Sequence, residues 1–208
     1  DYNVPQLYWE IGHAKADYEV LINWWNNNTP KGHFYVGQSI STFGKADLQN
    51  PNTTQMRRKM ELVRTLPNVH GNVWWPGWSI IRNSHKIADS LVNVYQKYPA
   101  LVPVYSDLDK KAPKALSDIA KDGHYIRWQQ NEKDAANPMQ KALFYIVYCF
   151  PDGVKADIGN SKYILKITDE LQYNVVEENR NHGAGCKYVV TAVDRCWNES
   201  APSKILWY

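Results

Sequence analysis

The chain has 208 residues, with 24 Lys and Arg against 21 Asp and Glu and a formal net charge of +3; that length suits one large domain or two small ones. With 44% hydrophobic and 22% charged residues it has the composition of a folded globular protein rather than a disordered one, and a charge of +3 is too small to point to nucleic acid or an anionic membrane surface. No apolar run approaches the ~20 residues of a membrane helix, so no membrane insertion is expected, and no signal peptide opens the chain, which begins abruptly at Asp1-Tyr2-Asn3-Val4 as a truncated chain does.

Two textures follow one another along the chain. In the first, Val4-Pro5-Gln6-Leu7-Tyr8-Trp9 reads as a short buried strand. Tyr18, Leu21, Ile22 and Trp25 recur at i, i+3, i+4 and i+7, the spacing of one helix face, and Pro30-Lys31-Gly32 ends that helix. His33 to Ile40 forms a second strand. Met56, Met60 and Val63 mark a second helix, with Asn52, Thr53 or Thr54 as its cap. Gly71-Asn72-Val73-Trp74-Trp75 is a third strand, and Ser84 caps a third helix whose buried stripe is Ile87, Leu91, Val94, Tyr95 and Tyr98. Strand-helix alternation of this kind predicts parallel strands joined by right-handed crossovers. Three units make part of a sheet, because a closed eightfold barrel takes about 250 residues.

Prolines and a charge cluster between residues 99 and 113 interrupt regular structure. The predicted division is therefore 1–105 as an α/β region, 106–113 as a linker and 114–208 as an all-β region. In the last region, candidate strands at 115–120, 124–129, 143–150, 163–167, 173–177, 186–194 and 204–207 are separated by turn signals. Those signals are Asp122-Gly123, Asn137-Pro138, Pro151-Asp152-Gly153, Gly159-Asn160 and His182-Gly183-Ala184-Gly185. About seven short strands at this spacing predict an antiparallel sandwich.

Two resemblances are carried by these residues. The second half is similar to a fibronectin type III domain, with Trp128 at the place of the early core Trp and Tyr145-Ile146-Val147-Tyr148 as strand C. Lys187 to Arg195 resembles strand F with Tyr188 as the tyrosine-corner residue, and Asn198 to Ser203 resembles the lead-in to strand G. The first half resembles the C-terminal part of the glycosyl-hydrolase-like family 10 barrels, proteins of the bacterial cell envelope. It does so through Pro5 to His13, Tyr35-Val36-Gly37-Gln38, Gly71-Asn72-Val73 and the helix leading into Tyr98-Pro99-Ala100-Leu101-Val102-Pro103. In that family a barrel precedes a fibronectin-like domain, the order seen here. The resemblance implies a partial (β/α) barrel of about three units followed by a seven-stranded fibronectin type III-like sandwich. It implies a parent glycoside hydrolase acting on a polysaccharide or peptidoglycan glycan, in the periplasm, the cell envelope or outside the cell. The strands that would carry the family's earlier acidic candidates have no counterpart in this chain, which points to an inactive fragment.

Glycoside hydrolysis uses two carboxyl groups flanking the scissile bond, placed in barrels at the C-terminal strand ends. Glu10 is the acid just past a strand end and is the catalytic candidate; the competing reading is a loop acid that caps or pairs with nearby groups. Asp17, Glu19, Glu61 and Asp89 fall on helices and Asp47 in a loop. Nine Trp and 14 Tyr against four Phe favour half-wet, sugar-stacking surfaces as well as core anchors. Gln6, Tyr8 and Trp9 at the end of the first strand, Tyr35 and Gln38 on the second, and Trp74 and Trp75 ending the third are the substrate-binding candidates. Trp74 and Trp75 alternate faces, so at least one of them is expected to be buried against helices, and one of Trp74, Trp75 and Trp78 is the candidate to stack on a ligand.

His13, His33, His70 and His85 form no metal pattern, although His13 lies near enough to orient Glu10. Gly-x-Ser-x-Gly, P-loop and Gly-x-Gly-x-x-Gly signatures are absent, so no cofactor is expected. Cys149, Cys186 and Cys196 allow one bridge plus a free thiol or three buried thiols, and the latter is the reading taken. Asn27-Asn28-Thr29, Asn52-Thr53-Thr54 and Asn198-Glu199-Ser200 match glycosylation acceptors, a pattern without meaning in a bacterial protein. The competing functional reading is a non-catalytic carbohydrate-binding or protein-interaction module. The open strand edges also predict self-association.

Overall fold

The computed structural model describes residues 2–29, 31–40, 55–131, 136–178 and 185–208. Asp47, the cap candidates Asn52, Thr53 and Thr54, and the turn His182-Gly183-Ala184 lie outside the described residues. The chain divides into two compact units, Asp1–Lys97 and Tyr98–Tyr208.

The first unit is built on a three-stranded sheet of β1 (Tyr2–Asn3), β2 (His33–Ser39) and β3 (Gly71–Trp75), in that order and parallel throughout. The first strand is shorter than its apolar run suggests because Pro5 has no N–H for the ladder. Pairing resumes beyond it: Gly37 N–H donates to Pro5 O (2.9 Å), and Leu7 N–H donates to Gly37 O (3.0 Å). Helix α1 (Tyr18–Asn28) begins at Asp17, whose Oδ1 accepts the Val20 N–H at 3.0 Å. Backbone N–H donation from Val20, then from Gly12, holds the Asp17 carboxyl below its ordinary value. The face predicted for α1 is the buried one, with Tyr18 and Ile22 fully enclosed and Leu21 and Trp25 packed at the margin.

Helix α2 (Gln55–Thr65) buries Met56, Met60 and Val63. Phe34 and Val36 of β2 meet α1 and α2 in one core with Leu7 and Val69, while Ile40 and Trp74 reach a second core with Met56, Met60, Ile87, Leu91 and Tyr95. After the short helix α3 (Gly77–Ile81), Lys86 stands at the N-cap position of the next helix, and the side chain that reaches its first amides is that of Asn83 rather than Ser84. Asn83 takes a left-handed conformation and its Oδ1 accepts the N–H groups of Ala88 (3.0 Å) and Asp89 (3.3 Å). Helix α4 (Ile87–Ser90) then widens into a π turn over Leu91–Tyr95, with Gln96 N–H donating to Leu91 O. That extra residue rotates the face, so Leu91 and Tyr95 are buried while Val94 and Tyr98, expected in the same stripe, are exposed.

In the second unit, a four-stranded sheet runs in the order β10 (Leu206–Trp207), β9 (Cys186–Val193), β6 (Phe144–Pro151), β7 (Ile164–Thr168). A three-stranded sheet runs β4 (Ala120–Asp122), β5 (Tyr125–Arg127), β8 (Gln172–Asn174). Every pairing in both sheets is antiparallel. Residues 115–119 are not strand, although Leu116 and Ile119 are buried, and the segment after Asn174 turns into helix α5 (Val175–Glu178). Ile126, Trp128, Tyr145, Val147, Tyr188 and Val190 share a core contributed by both sheets. The opposite face of the larger sheet is also covered: Ile146, Tyr148 and Phe150 pack with Leu101, Ile158 and Trp197. This double burial explains why β6 and β9 read as continuous apolar runs rather than alternating ones.

Residues 98–113 pack within this unit. Tyr105 N–H donates to Cys196 O (2.9 Å), and Asp109 accepts from Gln140 Nε2 (2.9 Å) and Asn198 Nδ2 (3.3 Å). The unit boundary therefore lies upstream of the stretch read as a linker, whose prolines stop regular structure without preventing packing. Asn198 is buried, and its Nδ2 also donates to Asp194 Oδ2 (3.0 Å).

The thiol reading is corrected: Cys149 and Cys186 form a disulfide and Cys196 is a buried free thiol. The register supplies the reason. Cys149 lies opposite Tyr188 and Pro151 opposite Cys186, so the two cysteines sit diagonally on the same face of adjacent strands, with Cα atoms 5.6 Å apart.

Candidate functional site

Because the strands of the first unit are parallel, their C-terminal ends lie along one edge. The loops leaving that edge carry Trp9 and Glu10 after the first strand segment, and Pro76-Gly77-Trp78 after β3; the loop after β2, with Asp47, is outside the described residues. The register assigns faces. Tyr2 pairs with His33 and Gln6 with Gly37 on one side of β2, and Tyr35, Gly37 and Ser39 pair with Gly71, Val73 and Trp75 on the other. Side chains at these positions share the face turned away from α1 and α2. On it Tyr2 is 66% exposed, Val73 44% and Trp75 62%, with Gln6 exposed and Tyr8 half-buried. Tyr35 meets the Tyr2 ring edge-on at 5.9 Å. On the central strand His33 and Ser39 of this face are buried, so among the described residues its exposed positions are Tyr2 and Gln6 on one flank and Val73 and Trp75 on the other.

The substrate-binding candidates are thereby divided. Gln6, Tyr8, Tyr35 and Trp75 lie on the face turned away from α1 and α2. Trp9 is 43% exposed in the following loop, beside the exposed Glu10. Gln38 and Trp74 occupy the opposite face. Gln38 is fully buried, its Nε2 donating to Tyr18 Oη (2.7 Å) and Asn72 Oδ1 (3.0 Å). Burial raises the Tyr18 phenol far above its ordinary pKa, which keeps it a neutral partner in this network. Trp74 packs into the core beneath α2 and α4. Trp78 is exposed and lies 5.3 Å from the Arg82 guanidinium, a cation–π pair at the same edge.

The Glu10 carboxylate makes no hydrogen bond or ion pair with a described residue, whereas the backbone around it is heavily engaged. Glu10 O accepts from His13 N–H (3.3 Å) and Tyr18 N–H (3.2 Å), Trp9 O accepts from Lys59 Nζ (2.6 Å), and Ile11 exchanges two bonds with the Gln55 side chain. His13 does not orient Glu10; its Nδ1 accepts the N–H groups of Lys15 (3.3 Å) and Ala16 (3.1 Å). Gln55 and Lys59 were missed from the sequence. The available signal was a lysine at a buried position of the Met56, Lys59, Met60, Val63 stripe, and Lys59 is 1% exposed.

Among the described residues no group of three or more His, Cys, Asp or Glu side chains converges as metal ligands do. No helix among them is long and apolar enough to cross a membrane. His33 and His70 lie with ring centroids 5.0 Å apart beside Tyr35. Burial, then the neighbouring His33, holds His70 below the ordinary histidine value. The unfolded chain therefore binds a proton at His70 more readily than the folded one. Stability is retained above the unfolded value near 6.5 and falls as pH drops through it toward the folded value. Thermal melts at pH 7.5 and 5.5 are expected to show a lower midpoint at the acid end, with the difference reduced in His70→Asn; an unchanged difference contradicts this assignment.

Comparison with known proteins finds two relatives. Over 216 aligned residues, covering 98% of this chain, it is 30% identical to a protein named glycosyl hydrolase YngK from Bacillus subtilis (strain 168). Over 81 aligned residues, covering 35% of the chain, it is 25% identical to one named glycosyl hydrolase DigH from Escherichia coli O6:H1 (strain CFT073). The chain spans 40% of the length of the first relative and 18% of the second. No family model matches it. Over nearly its whole length the chain is thus related to a protein named as a glycosyl hydrolase.

Proposed function

We propose that this chain is the C-terminal portion of a bacterial envelope glycoside hydrolase acting on a polysaccharide or peptidoglycan glycan. In this reading its first unit supplies one wall of the sugar cleft and is inactive without a second carboxylate. The observation that carries the reading is the relationship to a glycosyl hydrolase across 98% of the chain. The parallel sheet with helices on one face and Tyr2, Gln6, Val73 and Trp75 on the other supports a slice of a (β/α) barrel, with the face away from the helices turned to the barrel interior. The two antiparallel sheets around Trp128 and Tyr188 support a fibronectin type III-like second unit. The Cys149–Cys186 bridge supports an oxidising, extracytoplasmic setting.

The chemistry of this wall is recognition. Indole and phenol faces stack on the C–H faces of a pyranose ring while Gln6 and Glu10 accept or donate hydrogen bonds to its hydroxyls. Hydrolysis needs two carboxyl groups about 5–10 Å apart. Of the two acids between the first strand segment and α1, Asp17 is engaged by the Val20 and Gly12 N–H groups and Glu10 stands exposed by itself, which favours a second reading in which the chain binds a glycan without cleaving it. Incubation with solubilised peptidoglycan glycan strands separates the two. Binding without new reducing ends is expected from the chain alone, and release of reducing ends would contradict the assigned inactivity. Absence of any binding would overturn the cleft assignment itself.

A further inference from the structure

We infer that Gln55 and Lys59 of helix α2 are positioning residues that hold the Trp9–Glu10–Ile11 loop in a ligand-ready geometry. This rests on the cleft reading proposed above. The two side chains are four residues apart and so project from one helix face. Their targets lie far away in sequence, on Trp9 and Ile11 of one loop. Gln55 Oε1 accepts the Ile11 N–H at 2.7 Å and its Nε2 donates to Ile11 O at 3.1 Å, which gives Ile11 the two bonds a neighbouring strand would provide. Lys59, 1% exposed, places its Nζ 2.6 Å from Trp9 O and 4.4 Å from the Tyr18 ring centroid.

From the other side, Asp17 Oδ2 accepts the Gly12 N–H, and Glu10 O is held by the Tyr18 and His13 amides. Backbone groups from Trp9 to Gly12 are therefore tied to α1 or α2. The two large side chains of the segment, Trp9 and Glu10, are left exposed. Loops on protein surfaces ordinarily leave such backbone groups to water. Fixing the backbone while leaving an indole and a carboxylate exposed is the arrangement that lowers the ordering cost of ligand contact. Burial of a lysine at a stripe position is costly for packing alone, and a carbonyl on the adjacent loop accounts for its placement.

The test uses the full chain, hydrogen exchange and titration with solubilised peptidoglycan glycan strands. Gln55→Leu is expected to speed exchange of the Ile11 amide by about tenfold or more, since that amide loses its acceptor. Lys59→Met, which keeps the side-chain length, is expected to weaken glycan binding by roughly tenfold with a melting midpoint near that of the wild type, and Lys59→Arg to restore part of the loss. Placed on a Trp9→Ala/Glu10→Gln background, Gln55→Leu and Lys59→Met are expected to cause no further loss, whereas on a Trp75→Ala background their effects add.

Unchanged Ile11 exchange in Gln55→Leu overturns the proposal. So do losses that remain additive on the Trp9→Ala/Glu10→Gln background, which would mark a structural role only. Failure of the wild-type chain to bind the glycan strands is a distinct result: it removes the cleft reading and this inference with it, whatever the exchange rates.

Discussion

Replacing both Cys149 and Cys186 with alanine lowers the stability of the second unit by about 4 kcal/mol and its melting temperature by roughly 15 °C. The size follows from the chain. The bridge closes a loop with a sequence separation of 37, and cutting it releases the corresponding freedom to the unfolded ensemble. Both sulfurs lie in the core shared by the two antiparallel sheets, so the paired alanine variant also loses some packing. Alanine is preferred to serine because a buried hydroxyl would add an unrelated penalty. Calorimetry of the oxidised chain, the paired alanine variant and the wild type under reductant checks the expectation. The last two should coincide to within a few degrees. A variant melting within about 3 °C of the oxidised wild type would show that the bridge contributes little.

Gly37→Val is expected to destabilise the first unit by about 3 kcal/mol and to abolish most glycan binding. A Cβ at position 37 would stand 3.1 Å from Pro5 O and 3.2 Å from Gln6 Cα, both backbone atoms. It would wedge the first strand segment away from β2 at the point where Pro5 O and Leu7 N–H pair with Gly37. That segment carries Gln6, Tyr8, Trp9 and Glu10, so the damage is focused on the candidate wall. Gly37→Ala should show the same direction with a smaller loss. A fully stable, fully binding Gly37→Val chain would mean that the close approach is not required.

How much of this was legible in the sequence depends on which residues are asked. Helix α1 was legible because Tyr18, Leu21, Ile22 and Trp25 keep a regular spacing and only one side of the helix is buried. The central strand β2 was legible as a strand but its faces were not. Nearly every residue of it is buried, so no alternation marks Gln38 as helix-facing and Tyr35 as not. Gln38 was expected beside a ligand because it follows Gly37 at the end of the second strand; the structure instead uses it to satisfy Tyr18 and Asn72 within the core. The π turn over Leu91–Tyr95 defeated the helical stripe at Val94, since the ordinary helical period places Val94 with Leu91 and Tyr95.

The same reasoning separates the parts of the candidate site. Trp75 was legible as one of a cluster at a strand end, and alternation left open whether Trp74 or Trp75 was the exposed one. Register with Ser39 decides for Trp75. The disulfide was not legible, because nothing in the spacing of Cys149 and Cys186 indicates the diagonal pairing that the β6–β9 register creates. The Gln55 and Lys59 contacts depend on a crossover that brings α2 against the loop after β1, and no local pattern records that juxtaposition.

A titration of solubilised peptidoglycan glycan strands into three forms of the chain tests most directly whether the sheet face turned away from α1 and α2 is the sugar-contacting one. Trp75 and Trp24 are both more than half exposed, the first on the sheet face turned away from α1 and α2 and the second on α1. Trp75→Ala is expected to weaken binding by about tenfold or more while Trp24→Ala leaves it at the wild-type value, in keeping with the 1–3 kcal/mol typical of an aromatic anchor. Equal losses from both substitutions, or a loss from Trp24→Ala alone, would contradict the assignment of that face.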